Sequence, residues 1–333
     1  MSVTQARIAQ YLIAAGAFVT LAVQSDLRVF TVTNLVIQAA LFVVLACVPA
    51  YRTGHMSYVD LAWPWGLVDL GVLTLAFGGA DSTLTVTVGV IYLVMGLRMG
   101  IWAALAGANG ALTEDVPRYR YQRLHWERAG LRSERLSIQV EIMLQGAANM
   151  SILAIPAALA VAGSRSFGVV EIVALVLWAV FYGVESLADW QKARFSERSR
   201  REGTRLSCDA GLWRYSRHPN YFGQWMQWNA LIVLVLPTLL SRRPDTPPAL
   251  WILTLIGLLT ISAAFYYTLV YYTGAVPAEH YSLQSRPDYA DYQRTTNRFF
   301  PGPPRRRLAE PQPPPAPSDE PDRGLRSIRE ESR

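Results

Sequence analysis

The chain has 333 residues, 51% of them hydrophobic and 17% charged, with a formal net charge of +6. Its apolar residues come in long blocks, which argues against one large soluble core and for an integral membrane protein. The positive charge needs no nucleic acid to explain it, because basic residues at a bilayer surface face anionic headgroups.

In chain order, the apolar blocks fall at about residues 7–23, 32–50, 58–79, 83–107, 139–162, 166–187, 220–240 and 249–273. Each approaches the ~20 residues a helix needs to cross ~30 Å of hydrocarbon. The expected fold is an all-α, polytopic transmembrane bundle of about seven to nine spans. The first block lacks a cleavage pattern and reads as a retained helix. Between the fourth and fifth blocks lies a charged loop, 108–138, and between the sixth and seventh a second one, 188–219. Residues 301–333 contain nine prolines and almost no large apolar side chains, so a disordered tail is expected.

Arginine placement predicts orientation. The first long loop carries Arg118, Arg120, Arg123, Arg128, Arg132 and Arg135, the second carries Lys192 and seven arginines from Arg194 to Arg217, and ten more follow residue 273. The opposite connections hold only Arg28, Arg165, Arg242 and Arg243. The positive-inside rule then puts both termini and both long loops in the cytoplasm. Cys47 and Cys208 imply no disulfide framework, the four histidines show no metal-ligand spacing, and neither G-x-G-x-x-G nor a P-loop is present.

The densest polar signal is Gly211-Leu-Trp-Arg-Tyr-Ser-Arg-His-Pro-Asn-Tyr-Phe-Gly223. Gly211 suits a tight turn, Gly223 close helix packing, and Pro219 the first position of a helix. Arg217, His218 and Asn220 then surround a helix N-terminus whose free N–H groups favour an anion, with Arg214 and Arg217 available for bidentate phosphate contacts. A snorkelling basic patch is the simpler alternative. Asp60 lies within the third block, where a carboxyl must be protonated, paired or facing water. Glu141, Gln145 and Asn149 share one helix face and could line a polar cavity, although interhelical hydrogen bonding explains them more simply. Glu279, His280, Tyr281, Tyr289 and Tyr292 form a late polar-aromatic group suited to stacking on a base, or to interfacial anchoring.

Several separated motifs recur in order: Ser57-Tyr-Val-Asp-Leu-Ala-Trp63, Gly96-Leu-Arg98, Glu114-Asp-Val-Pro-Arg-Tyr119, Gly183-Val-Glu-Ser-Leu-Ala-Asp-Trp-Gln191, the R-H-P-N-Y-F-G run, Thr273-Gly-Ala-Val-Pro-Ala-Glu279 and Phe299-Phe-Pro301. Together they resemble the DUF1295 group of bacterial membrane proteins, which are similar to the C-terminal domain of the steroid 5α-reductases. The resemblance implies N-terminal transmembrane helices over 1–56, the reductase-like membrane domain over 57–300, and a tail over 301–333. It further implies a bacterial inner-membrane enzyme that binds NADPH from the cytoplasmic side and reduces a carbon–carbon double bond in a hydrophobic substrate.

On this resemblance Asn220, Tyr221 and Asp189 line the cofactor pocket. Gln224 stands where the reductases usually have glutamate, and Glu185 where they have asparagine. Arg118, Arg214, Arg217, His218, Glu279, Tyr289 and Tyr292 complete the expected cofactor set. Asp60 resembles the intramembrane glutamate that polarises the substrate carbonyl, and a protonated Asp60 would donate to a developing enolate. The alternative for Asp60 is a buried partnership with Arg98, itself matched to a reductase arginine. The tyrosine that precedes that arginine in the reductases is Met95 here, with Tyr92 two turns away as a substitute. Two rival readings remain: an S-adenosylmethionine-dependent methyltransferase of the isoprenylcysteine type, and a non-catalytic lipid-binding protein.

The tail composition carries a first prediction. Removing residues 305–333 should leave the melting temperature and ligand affinity of the purified protein unchanged, measured by thermal unfolding in detergent. A shortened chain that melts lower would show that the tail docks.

Overall fold

The computed structural model describes residues 2–79, 81–131, 133–163 and 167–305, so most of the expected tail, with Arg132 and Arg165, lies outside the described residues. The described residues are helical and contain no strand. Helix α1 (Val3–Ala22) is followed by α2 (Ser25–Phe42), which runs through a π-helical turn, Val43–Cys47, into α3 (Val48–Thr53). Then come α4 (Val59–Phe77), α5 (Thr83–Ala108), α6 (Pro117–Arg128), α7 (Glu134–Met150), α8 (Ile155–Ala162) and α9 (Val169–Arg201). The chain continues with α10 (Pro219–Ser241), α11 (Pro248–Tyr267), α12 (Ala275–Ser285) and α13 (Tyr289–Thr295).

Among the described residues, six helical segments are long and apolar enough to cross a membrane: Ser25–Thr53, Met56–Phe77, Thr83–Ala108, Glu134–Ala162, Val169–Arg201 and Pro248–Ser285. The chain is an integral membrane protein. The other two expected spans form as the long helices α1 and α10 but are less apolar. Gln5, Arg7 and Gln10 dilute the first, and Asn220, Gln224, Gln227 and Asn229 the second. Helix α10 buries Gln227, Trp228, Leu231 and Leu234 among others, so it is a core helix packed against α9 and α11.

Both long polar loops proved partly helical. In the first, Pro117 opens α6, and Tyr119, Gln122 and Trp126 form a buried stripe at helical spacing. In the second, α9 continues to Arg201 because the segment lacks glycine and proline, and Glu197–Arg201 and Arg198–Glu202 pair one turn apart. High polarity marked these stretches as leaving the membrane. It did not mark them as leaving the helix.

Two helix pairs pack closely, α4 with α5 and α9 with α10, and bare backbone permits both contacts. A Cβ at Gly96 would lie 2.7 Å from Val68 N, and one at Gly223 would lie 2.9 Å from Glu185 N. Gly223 therefore lets the first turns of α10 lie directly against α9, as its place in the motif suggested. Gly211 has φ +60°, the left-handed conformation expected of a tight turn there, and Pro219 is the first residue of α10. Replacing Gly223 by leucine should push the two helices apart and destabilise the protein by about 1–3 kcal/mol, read as a lower melting temperature in detergent. An unchanged melting temperature would show that α10 tolerates displacement.

Candidate functional site

Five helices bring polar side chains to one region at the arginine-rich end of the bundle. Asp60 is the second residue of α4, where a carboxylate suits the positive helix end. Pro64 has no N–H to offer, so the Asp60 carbonyl loses its usual helical partner. The Asp60 carboxylate pairs through Oδ2 with Arg118 Nη2, and Oδ1 accepts a hydrogen bond from the Tyr119 hydroxyl. Its partner is thus Arg118 of α6, and the alternative of an Asp60–Arg98 pair does not hold. Both Asp60 oxygens are taken up as acceptors, so in this structure the carboxyl group organises donors.

Burial opposes the charge on Arg118, but Asp60 and Tyr119 outweigh it and hold that guanidinium above its ordinary range. Burial, and next the Asp60 charge, push the Tyr119 phenol up, so it keeps its proton.

Arg98 turns to α9 instead. It pairs with Glu185, lies 3.6 Å from Asp189 Oδ2, donates to Ser186 Oγ at 2.9 Å and sits 5.2 Å from the Tyr182 ring centroid. Asp189 Oδ1 in turn accepts from Asn220 Nδ2 at 3.0 Å, and Glu185 Oε2 from Gln227 Nε2 at 2.6 Å. The result is a polar chain, Gln227–Glu185–Arg98–Asp189–Asn220, joining α10, α9 and α5. Two of its acceptors, Asn220 Oδ1 and Gln227 Oε1, are buried without a partner. Beside it a crevice too narrow to hold a water molecule is lined by Met95, Arg98, Met99, Tyr182, Glu185, Gln224 and Gln227. Tyr221 lies between the two halves, stacked on His218 with ring centroids 5.2 Å apart. Tyr92 does not reach the crevice: it is fully buried, and its hydroxyl donates to the Leu153 carbonyl.

The remaining expected cofactor residues form a separate clasp. Glu279 Oε1 accepts from Arg217 Nε at 2.9 Å and meets His218 Nε2 at 3.2 Å, while Oε2 accepts from Gln293 Nε2 at 3.0 Å and Arg298 Nε at 3.2 Å. Arg217 also donates to the Gln293 and Thr296 carbonyls, and the Tyr292 hydroxyl donates to the Trp213 carbonyl. Tyr289 packs edge-on against Tyr292, with ring centroids 5.8 Å apart. Arg217, His218, Glu279, Tyr289 and Tyr292 are all buried, so their polar atoms hold the C-terminal segment onto the start of α10. Arg214 is exposed. Burial lowers the His218 pKa against the pull of Glu279, so its imidazole is neutral at pH 7, and it stacks on Tyr221 at 5.2 Å and 7°.

Four polar residues in these surroundings had drawn no attention in the sequence. Tyr119 belongs to a quoted motif and follows Arg118, which is the signal that could have found it. Gln227 lies one turn beyond Gln224. Gln122 is one turn beyond Tyr119, and both its amide atoms are buried without partners. Asp69, mid-way along α4, also has a buried, unpartnered oxygen.

A family model described as protein of unknown function (DUF1295) matches residues 46–296, about three quarters of the chain. The chain belongs to the DUF1295 family. No curated protein and no solved structure matches it. Within this DUF1295 chain, the R-H pair of the R-H-P-N-Y run serves the clasp, while the N-Y pair faces the polar cluster.

The clasp generates a prediction. Glu279→Ala leaves the Arg217 guanidinium buried without its counter-charge and should destabilise by about 3–5 kcal/mol, whereas Glu279→Gln, which keeps the shape and two polar atoms, should cost less. Thermal unfolding of both variants checks this, and equal melting temperatures would remove the clasp from the stability argument.

Proposed function

We propose that this protein is an integral membrane, NADPH-dependent reductase acting on a carbon–carbon double bond conjugated to a carbonyl in a hydrophobic substrate. The observation that carries the reading is the meeting, at one end of the bundle, of an aligned donor pair, Arg118–Tyr119 on Asp60, with the polar chain that ends at Asn220. An Asp60–Arg118 pair with a tyrosine bonded to it, and a buried polar chain, are costly in an apolar bundle and point to function.

The residues suit the cofactor in kind. The unpartnered acceptors Asn220 Oδ1 and Gln227 Oε1 match a carboxamide N–H₂, and the exposed Arg214 matches phosphate. Small-molecule sites usually enclose ≈ 300–1,000 Å³, whereas this crevice has no room even for a water molecule, so it must open to admit a dinucleotide. The nicotinamide, when bound, supplies the hydride. The chain's own part is electrostatic: Tyr119 donates to Asp60 and holds that carboxylate in place, Asp60 holds the Arg118 guanidinium through Nη2, and the remaining Arg118 N–H groups stabilise negative charge developing on the substrate carbonyl oxygen. Tyr221, held flat by His218, closes the same space. The arginine-rich end faces the cytoplasm in this reading, where the nucleotide is available.

Thermal-shift titration of the detergent-purified protein tests the cofactor. NADPH should raise the melting temperature and bind about tenfold more tightly than NADH, because arginine recognises the 2′-phosphate. Stabilisation by S-adenosylmethionine alone would replace the reductase with a methyltransferase.

Turnover, followed as NADPH consumption with a panel of lipid-soluble enones, tests the donor pair. Tyr119→Phe and Asp60→Leu should each lower kcat by about 10²-fold while NADPH affinity stays within about twofold. Asn220→Ala should do the reverse, weakening NADPH binding most. Normal turnover by Asp60→Leu would take Asp60 out of the reaction.

A further inference from the structure

A cavity of about 500 Å³ opens at the arginine-rich end of the bundle, and neither Asp60 nor its partners Arg118 and Tyr119 line it. It sits where α3 turns at Gly54, φ +78°, beside the segment leading into α6 and the first turn of α7. Its charged lining is Glu114, Asp115, Arg120, Arg123, Glu134 and Arg135, three cations against three anions. Small-molecule sites usually enclose ≈ 300–1,000 Å³, and this volume falls in that range.

Half of that lining is a fixed wall. Arg123 Nε donates to Asp115 Oδ2 at 3.0 Å, Nη2 donates to the Gly54 carbonyl at 2.6 Å, and Nη1 pairs with Glu134. Asp115 Oδ1 accepts from the backbone N–H groups of Met56 and Ser57 at 2.6 and 3.0 Å. The other half is open. Arg120 is anchored by Nε to the Asp115 carbonyl at 2.9 Å, and its terminal nitrogens have no partner among the described residues. Arg135, 5.8 Å from the Tyr51 ring centroid, makes no hydrogen bond among the described residues, and neither does the exposed Glu114 carboxylate.

Two open guanidinium groups and one open carboxylate suit a ligand carrying both signs of charge. A zwitterion also matches the neutral sum of the lining, whereas an anion alone would face Glu114 and Glu134. Arginine is suited to phosphate, and a carboxylate accepts from a primary ammonium. A quaternary ammonium has no N–H to donate and is usually recognised by aromatic faces, and no Phe, Tyr or Trp lines this cavity. The source of the ligand follows from position. The membrane-crossing segments Ser25–Thr53 and Glu134–Ala162 have their ends at the cavity, and Val44, Val48, Tyr51 and Leu136 near those ends are exposed, an apolar surface for acyl chains.

We propose that this cavity binds the headgroup of phosphatidylethanolamine, with the phosphate on Arg120 and Arg135 and the ammonium on Glu114. The site is separate from the reductase reading and requires no nucleotide.

Native mass spectrometry of the full-length, delipidated protein in detergent, titrated with palmitoyl-oleoyl lipids, tests the assignment. Phosphatidylethanolamine should bind at least about tenfold more tightly than phosphatidylcholine, the factor of one hydrogen bond to a charged group. Glu114→Ala should bring the two lipids to within about threefold of each other. Arg120→Gln combined with Arg135→Gln should weaken phosphatidylethanolamine binding by at least about tenfold. All three residues are exposed, so the lipid-free melting temperatures should remain those of the parent. Equal affinity for the two lipids overturns the proposal, as does a preference that survives Glu114→Ala. Tighter binding of phosphatidylglycerol would make the cavity a site for anions instead. Displacement of the lipid by an equal concentration of soluble phosphoethanolamine would remove the bilayer as its source. Because the assay contains no NADPH, its outcome is distinct from that of the cofactor titration.

Discussion

The Glu279 carboxylate, accepting from Arg217, His218, Gln293 and Arg298, is the constraint on which the arrangement of the polar end depends. A buried guanidinium is tolerable only with its counter-charge in place, and this one also needs the carbonyls of Gln293 and Thr296 to satisfy its remaining donors. The segment after α11 therefore has to fold back over the start of α10. Ser216 completes the attachment by donating to the Phe299 carbonyl, and Phe299 and Phe300 pack edge-on against Phe222 and Trp225.

From this clasp the order passes to the cluster. His218 is fixed by Glu279 and lies flat on Tyr221, and Tyr221 stands among Arg118, Asp189 and Asp60. On the other side, Gly223 lets α10 approach the α9 backbone closely enough for Asn220 to reach Asp189 and for Gln227 to reach Glu185. A single short motif thus divides its labour. Its arginine and histidine secure the chain, its asparagine and tyrosine face the cluster, and its glycine sets the distance.

Helix α6 is tied to its surroundings at several points, with Arg123 pairing with Asp115 and Glu134. It carries Arg118 and Tyr119 to Asp60, and its outer side meets α12 through Tyr121 and His280, whose rings are 5.1 Å apart. Gln122, with both amide atoms unpartnered, lies beneath it. A helix with unsatisfied polar groups on its buried face costs less to displace than one sealed by apolar packing. The Gln122 amide is the one unsatisfied polar group on the buried face of this helix among the described residues.

The sequence by itself determined the helical membrane fold, because blocks near twenty apolar residues leave the backbone no other way to satisfy its hydrogen bonds in hydrocarbon. It also marked the turn at Gly211, the helix start at Pro219 and the close approach at Gly223, since these depend on the conformational rules of single residues. Polarity alone misled over residues 108–138 and 188–219, where helices continue outside the apolar blocks. Only the tertiary structure decided which charges meet. Asp60 and Arg98 are both intramembrane ionisable residues and looked like partners, yet α6 supplies Arg118 to the first and α9 supplies Glu185 to the second. Ion pairing is decided by distance across helices that are remote in sequence, and no local pattern in the chain encodes that distance.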